Sequence, residues 1–140
     1  KDAEGVDFAL DHYKGKPLVV YFYPKADTPG CTNEAKDFSA LLPRFAAAGA
    51  KVAGVSKDAP KKLARFAEKH GLTVELLSDA EGDFTDRLGI WTEKAMYGRT
   101  YMGIERTTLL VDADGVVRRI WPKVKVKGHA AEVLAAVEGL

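Results

Sequence analysis

Cys31 is the only cysteine in a chain of 140 residues. It sits in the run Tyr21-Phe22-Tyr23-Pro24-Lys25-Ala26-Asp27-Thr28-Pro29-Gly30-Cys31-Thr32-Asn33-Glu34. An apolar, aromatic strand runs into a Pro/Gly turn, and the thiol lands where a helix should begin. A helix start offers unpaired backbone N–H groups and the positive end of the dipole. Both favour a thiolate, and the thiolate is the nucleophile. An inert cysteine behaves as a small core hydrophobe, but here polar residues follow it. Thr28, across the turn, carries a hydroxyl that can donate and accept at once; it also suits a turn or a cap. Glu34 shares a helix face with Cys31. A bare carboxylate there would raise the thiol pKa, and an arginine paired with it would cancel that effect. Taken alone, Glu34 also reads as a first-turn acid favoured by the helix dipole. Arg106 leads into the apolar run Thr107–Val111. Its fork can hold a carboxylate and an anion together, although locally it also reads as a surface partner of Glu105.

The remaining chemistry-bearing residues mark what is excluded. One cysteine rules out an intramolecular disulfide, a CxxC pair and a multi-thiolate zinc site within this sequence, and it suits a reducing compartment. His12, His70 and His129 lack ligand-like spacing, so each reads as a surface or capping residue and no metal is expected. Arg118 and Arg119 with Lys123, Lys125 and Lys127 form a basic stretch. Lysines alternating with valines read as the solvated face of an edge strand rather than as a nucleic-acid patch. The net charge is +1, with 46% hydrophobic and 29% charged residues. This balance demands neither nucleic acid nor a membrane surface as a partner. No stretch is apolar for long enough to cross a bilayer, and no signal segment is expected at the start.

The elements that must position these side chains follow from periodicity. Pro17–Tyr23 is a continuous run of β-formers and predicts a central strand buried on both faces. Ala35, Phe38, Leu41, Leu42 and Phe45 predict a helix over about 32–48, with Pro43 kinking or breaking it near Leu42 and Gly49 as its cap. Strands are predicted over Val52–Ser56 and Val74–Ser78, and a helix over Ala59–His70 closed by Gly71. A short strand over Val6–Leu10 and a short helix over Asp83–Leu88 are further expectations, and Gly89–Gly103 reads as irregular. Arg106–Val111 and Val116–Trp121 flank Asp112-Ala113-Asp114-Gly115, a hairpin signal, and Ala130–Val137 predicts a closing helix. The order gives one domain over residues 1–140: an α/β, thioredoxin-like fold with a mixed central sheet flanked by helices on both faces.

Pro24 through Cys31 matches the peroxiredoxin pattern of Pro, three residues, Thr, two residues, Cys. The longer run from Tyr21 to Thr32 resembles the peroxiredoxin Q branch, also called bacterioferritin comigratory proteins. Gly54-Val55-Ser56, Met96-Tyr97-Gly98 and Gly103-Ile104-Glu105-Arg106-Thr107-Thr108 extend the resemblance over most of the chain. It implies thiol-dependent reduction of hydrogen peroxide and organic hydroperoxides, without a cofactor. Cys31 is then the peroxidatic cysteine, Thr28 and Arg106 polarise the peroxide and hold the thiolate, Pro24 shields the sulfur, and Glu34 orients Arg106. The chain departs from many relatives in lacking a resolving cysteine. Lys36 stands five residues after Cys31, and the next helix offers only Ala67 and its neighbours. The N-terminal segment is also shorter than the family's opening hairpin. A 1-Cys cycle is therefore expected, with a sulfenic acid recycled by an external thiol: thioredoxin, glutaredoxin with glutathione, or a small thiol. A cytoplasmic monomer or weak dimer serving antioxidant defence is the implied setting. Two other classes compete with this reading. One is a binding or chaperone module with a passive cysteine; the other, a disulfide oxidoreductase, is weakened by the missing CxxC.

Overall fold

The computed structural model describes residues 15–25, 28–80, 91–96, 99–114 and 116–139. The expected strand over Val6–Leu10 and helix over Asp83–Leu88 lie outside them. A five-stranded sheet runs in the order β3-β2-β1-β6-β7, formed by β1 (Leu18–Phe22), β2 (Lys51–Ser56), β3 (Glu75–Ser78), β6 (Thr107–Val111) and β7 (Val117–Trp121). β1 pairs in parallel with β2, and β2 with β3. β1 pairs antiparallel with β6, and β6 with β7. The sheet is therefore mixed, as the order of apolar runs implies. Three helices are described: α1 (Pro29–Ala47), α2 (Pro60–His70) and α3 (His129–Glu138).

β1 is buried along its whole length, so its side chains feed two cores. Val19, Tyr21 and Tyr23 join Val52, Leu76 and Leu110 on one face. Phe38 and Phe45 of α1, Leu63 and Phe66 of α2, and Val133 and Leu134 of α3 complete that cluster. Leu18, Val20 and Phe22 pack on the other face with Ala53, Val55, Leu77 and Ile104. Burying one such side chain contributes about 1.5–3 kcal/mol, and two-sided burial makes β1 the rigid axis from which the chain enters α1.

Two expectations fail instructively. Gly89–Gly103 is not irregular; it carries β4 (Trp91–Met96) and β5 (Arg99–Ile104), paired antiparallel as a separate two-stranded sheet. Only Tyr97 and Gly98 separate them, a spacing typical of a tight hairpin, and their Trp, Thr and Tyr content favours strand. Pro43 does not end α1, which runs on to Ala47. Proline removes the N–H that would have bonded the Ser39 carbonyl. That carbonyl instead lies 3.4 Å from the Thr73 hydroxyl, and the Ser39 hydroxyl accepts the Thr73 and Val74 N–H groups at 3.2 Å each. The loop after α2 thus supports α1 where its own ladder is interrupted. Gly71 closes α2 in the left-handed conformation, φ 61°, which glycine adopts without steric cost.

The basic stretch also differs from its expectation. Arg118 and Arg119 lie on β7, which is an edge strand. Lys123, Lys125 and Lys127 lie beyond it, in the exposed connection to α3. Among the described residues, no helix is long and apolar enough to cross a membrane.

Replacing Pro43 with alanine restores the missing donor, so Pro43→Ala is expected to raise stability by up to about 3 kcal/mol in urea unfolding. No gain would mean that the Thr73 contacts already compensate fully for the interruption.

Candidate active site

β1 delivers the chain to the site. The Tyr23 N–H still donates to the Val55 carbonyl at 3.1 Å, after which Pro24 offers no donor and the strand ends. Thr28 is the N-cap of α1, and its carbonyl accepts the Thr32 N–H at 2.8 Å as the first helical bond. Pro29 fits the first helical position, where an N–H would be unpaired anyway. Cys31 therefore lies in the first turn, as its sequence context predicts, and is 1% exposed.

Arg106 reaches this turn from the short link between β5 and β6. One guanidinium nitrogen, Nη2, donates to Cys31 Sγ at 3.2 Å. The other, Nη1, donates to Glu34 Oε1 at 2.6 Å. One cation is thus held against a sulfur and a carboxylate that share a helix face, the geometry that the guanidinium fork permits. Its backbone is also fixed, since the Arg106 carbonyl accepts the Val124 N–H at 2.9 Å. Gly30 completes the seat: a Cβ there would lie 3.2 Å from Nη2.

Burial pushes the Glu34 carboxyl up to about 7, against the opposing charge and hydrogen bond of Arg106. Burial also disfavours the Arg106 charge, but Glu34 and Cys31 outweigh it and hold the guanidinium above its ordinary pKa. The three groups therefore depend on one another. Removing any one leaves a buried charge or donor uncompensated.

Thr28 and Pro24 do not join these hydrogen bonds. The Thr28 hydroxyl donates to the Lys25 carbonyl at 2.9 Å, which leaves its oxygen free to accept. Pro24 is half-buried at the exit of β1. The histidine reading needs correction for His129, which is neither exposed nor a side-chain cap. It is buried, its Nε2 lies 2.8 Å from the Thr108 hydroxyl, and its ring packs edge-on against Phe38 and Trp121. The hydroxyl satisfies the ring nitrogen, so the imidazole enters an apolar layer, and burial lowers its pKa. His70 is half-buried in the last turn of α2, edge-on to Phe66, in keeping with a capping position; His12 lies outside the described residues. The sequence marks Gly30 as part of a turn but not as the seat of Arg106. Its one signal was a glycine placed inside a helix start. Among the described residues, no cluster of His, Cys, Asp and Glu could hold a metal.

Two measurements test this geometry. Gly30→Ala is expected to displace the guanidinium by a few tenths of an ångström, weakening its contact with Sγ while the fold survives; an unchanged Arg106 position in the variant's crystal structure would contradict it. For Glu34, the folded pKa of about 7 lies above the ordinary 4.5. The native state therefore keeps a proton that the unfolded state releases between those values, and stability falls as pH rises through this window. Measured in urea, the native chain should lose on the order of a few kcal/mol against Glu34→Gln between about pH 4.5 and 7. A flat difference would mean that Glu34 has ordinary acidity.

Comparisons with known proteins identify the relatives of this chain. Residues 1–120 match the model of the AhpC/TSA family. The chain is 47% identical over 131 residues to a putative peroxiredoxin bcp of Coxiella burnetii, covering 94% of this chain and 87% of that protein. It is 44% identical over 140 residues to the peroxiredoxin Bcp of Bacillus subtilis, covering 100% and 89%. A solved structure of the bacterioferritin comigratory protein of Xanthomonas campestris, studied for alkyl peroxide reduction, superposes with a TM-score of 0.91 at 45% identity, covering 99% of this chain and 88% of that one. The Xanthomonas peroxiredoxin Q has also been solved with either of two cysteines changed to serine; the same spacing counted from Cys31 reaches Ala67. The chain belongs to the AhpC/TSA family and, within it, to the Bcp or Q peroxiredoxins.

Proposed function

We propose that this chain, a thiol-dependent peroxidase, reduces hydrogen peroxide and organic hydroperoxides through a sulfenic acid on Cys31 and is recycled by an external thiol. The observation that carries the roles of the residues is the Arg106 guanidinium 3.2 Å from Sγ and 2.6 Å from Glu34. A passive core cysteine would face hydrocarbon, not a paired cation.

The Cys31 thiolate attacks the terminal oxygen of the hydroperoxide. The S–O bond forms as the O–O bond breaks, and the electron pair leaves on the other oxygen as hydroxide or alkoxide, which takes a proton from water. Arg106 is a fixed cation beside the developing charge, where preorganised donors act most strongly. Thr28, with its own proton given to Lys25, accepts a hydrogen bond from the peroxide O–H. Glu34 holds Arg106 in place, and Pro24 shields the sulfur at the strand exit. Cys31 is left as a sulfenic acid.

This sequence holds no second cysteine, so an outside thiol attacks the sulfenic sulfur and releases water. A second thiol then cleaves the mixed disulfide and frees Cys31. Thioredoxin, glutaredoxin with glutathione, or a small thiol supplies these equivalents. A lone cysteine suits a reducing compartment, so the cytoplasm is the proposed setting, with residues 1–140 acting as one domain, as a monomer or weak dimer, in antioxidant defence. Because Sγ is buried, recycling requires the first turn of α1 to open, and slow recycling favours over-oxidation to the sulfinic acid.

Peroxide consumption with dithiothreitol as the reductant tests the scheme. Cys31→Ser is expected to abolish it, and Arg106→Ala to slow the peroxide step on the order of a hundredfold with the fold retained. An Arg106→Ala variant of full speed would remove Arg106 from the chemistry. Intact-mass analysis after graded peroxide should show oxygen adducts on Cys31 alone.

A further inference from the structure

Two buried polar atoms beside the Arg106 clamp make no hydrogen bond: the Tyr21 hydroxyl and the second carboxylate oxygen of Glu34, Oε2. Tyr21 is fully buried and Glu34 is 1% exposed. An unpaired buried donor or acceptor costs about 1–3 kcal/mol, and native proteins carry few of them. Phenylalanine would fill this position without that cost, and the same core already uses Phe38, Phe45 and Phe66.

Tyr21 stacks on Phe38, with ring centroids 4.6 Å apart and planes 12° from parallel. Phe38 lies one helical turn beyond Glu34 on the same buried face of α1. The tip of the Tyr21 ring lies over Gly54, its register partner in β2. A Cβ at Gly54 would sit 2.5 Å from Tyr21 Cζ and 2.6 Å from its hydroxyl oxygen. Glycine in a buried strand interior forgoes packing, so this strand gives up a side chain to seat a hydroxyl. That hydroxyl lies near enough to Glu34, Cys31 and Arg106 to respond to their charges. The neighbouring Tyr23 hydroxyl is likewise buried and unpaired, but Ser56 and Asp58 act on it ahead of Cys31 and Glu34.

We propose that Tyr21 is a positioning residue for the clamp: its hydroxyl donates through one bridging water to Glu34 Oε2, fixing the carboxylate plane so that Oε1 stays on Arg106. Buried waters typically make about three hydrogen bonds to groups otherwise unpaired, and a phenol and a carboxylate oxygen facing one layer are suitable partners. Donation to the carboxylate favours its charged form and so opposes burial, which favours the neutral one. The other groups that act on Glu34 are Arg106 from the β5–β6 link and Asp37 on its own helix. Tyr21 has this role only if Cys31 and Arg106 have theirs.

Tyr21→Phe keeps the ring and removes the hydroxyl. Glu34 should then protonate at higher pH and release Arg106 sooner, moving the acid limb of the peroxide-step pH profile up by about one unit. In a Glu34→Gln background the same change should move nothing. An unshifted limb together with equal or greater stability in urea would overturn the proposal, because removal of a truly unpaired phenol is harmless. Should Tyr21→Phe fail to fold, a high-resolution crystal structure of the unaltered chain decides. A water within hydrogen-bond distance of both oxygens supports the bridge, and its absence refutes it. Failure of the unaltered chain to consume peroxide would instead refute the assignment of Cys31, leaving the urea and crystallographic results to judge the bridge separately.

Discussion

One guanidinium held between a sulfur and a buried carboxylate is the constraint on which this structure turns. Arg106 and Cys31 are far apart in sequence, and the antiparallel pairing of β1 with β6 brings them together. Phe22 at the end of β1 is level with Thr107 at the start of β6. The residue just before β6 therefore meets the chain as it leaves β1 for α1. A one-residue slip in that pairing would exchange the two faces of β6 and carry Arg106 away from the helix start. The site is thus fixed by the same register that fills the two cores.

Such an arrangement is costly to bury and is stable only as a whole. Glu34 is nearly inaccessible and is pushed toward neutrality by its surroundings. Arg106 opposes that push with its charge and hydrogen bond, and Glu34 in turn holds the guanidinium above its ordinary pKa. Breaking one side of a buried pair is more damaging than replacing both. The clamp accordingly behaves as one unit, in which Gly30 supplies space and the backbone bond from Val124 supplies anchorage.

Much of this could be read from the sequence, because its signals are local. The aromatic strand, the Pro/Gly turn and the polar residues after Cys31 place a thiol in a first helical turn. A forked cation before an apolar strand suits a site with two acceptors. What escaped reading depends on distant partners. Pro43 predicts a kink or a break, and only Thr73, brought alongside by the loop after α2, shows why the helix continues without a break. His129 reads as a surface or capping residue until Thr108 appears beside its ring nitrogen. The β4–β5 pairing was masked by mixed composition, although the short spacing around Gly98 pointed to it. The Thr28 hydroxyl reads as able both to donate and to accept; its proton goes to the Lys25 carbonyl, which leaves it the role of acceptor.

Arg106 also belongs to a link of two residues, Glu105 and Arg106, that joins the β4–β5 hairpin to the main sheet. On one side Ile104 is sealed into the second core, and on the other Thr107 is locked into pairing with β1. So short a tether has no slack. The reach of the charged fork is therefore set jointly by how Ile104 seats in its core and by how Thr107 pairs with Phe22, so a loosened fit at either end would be felt at the sulfur.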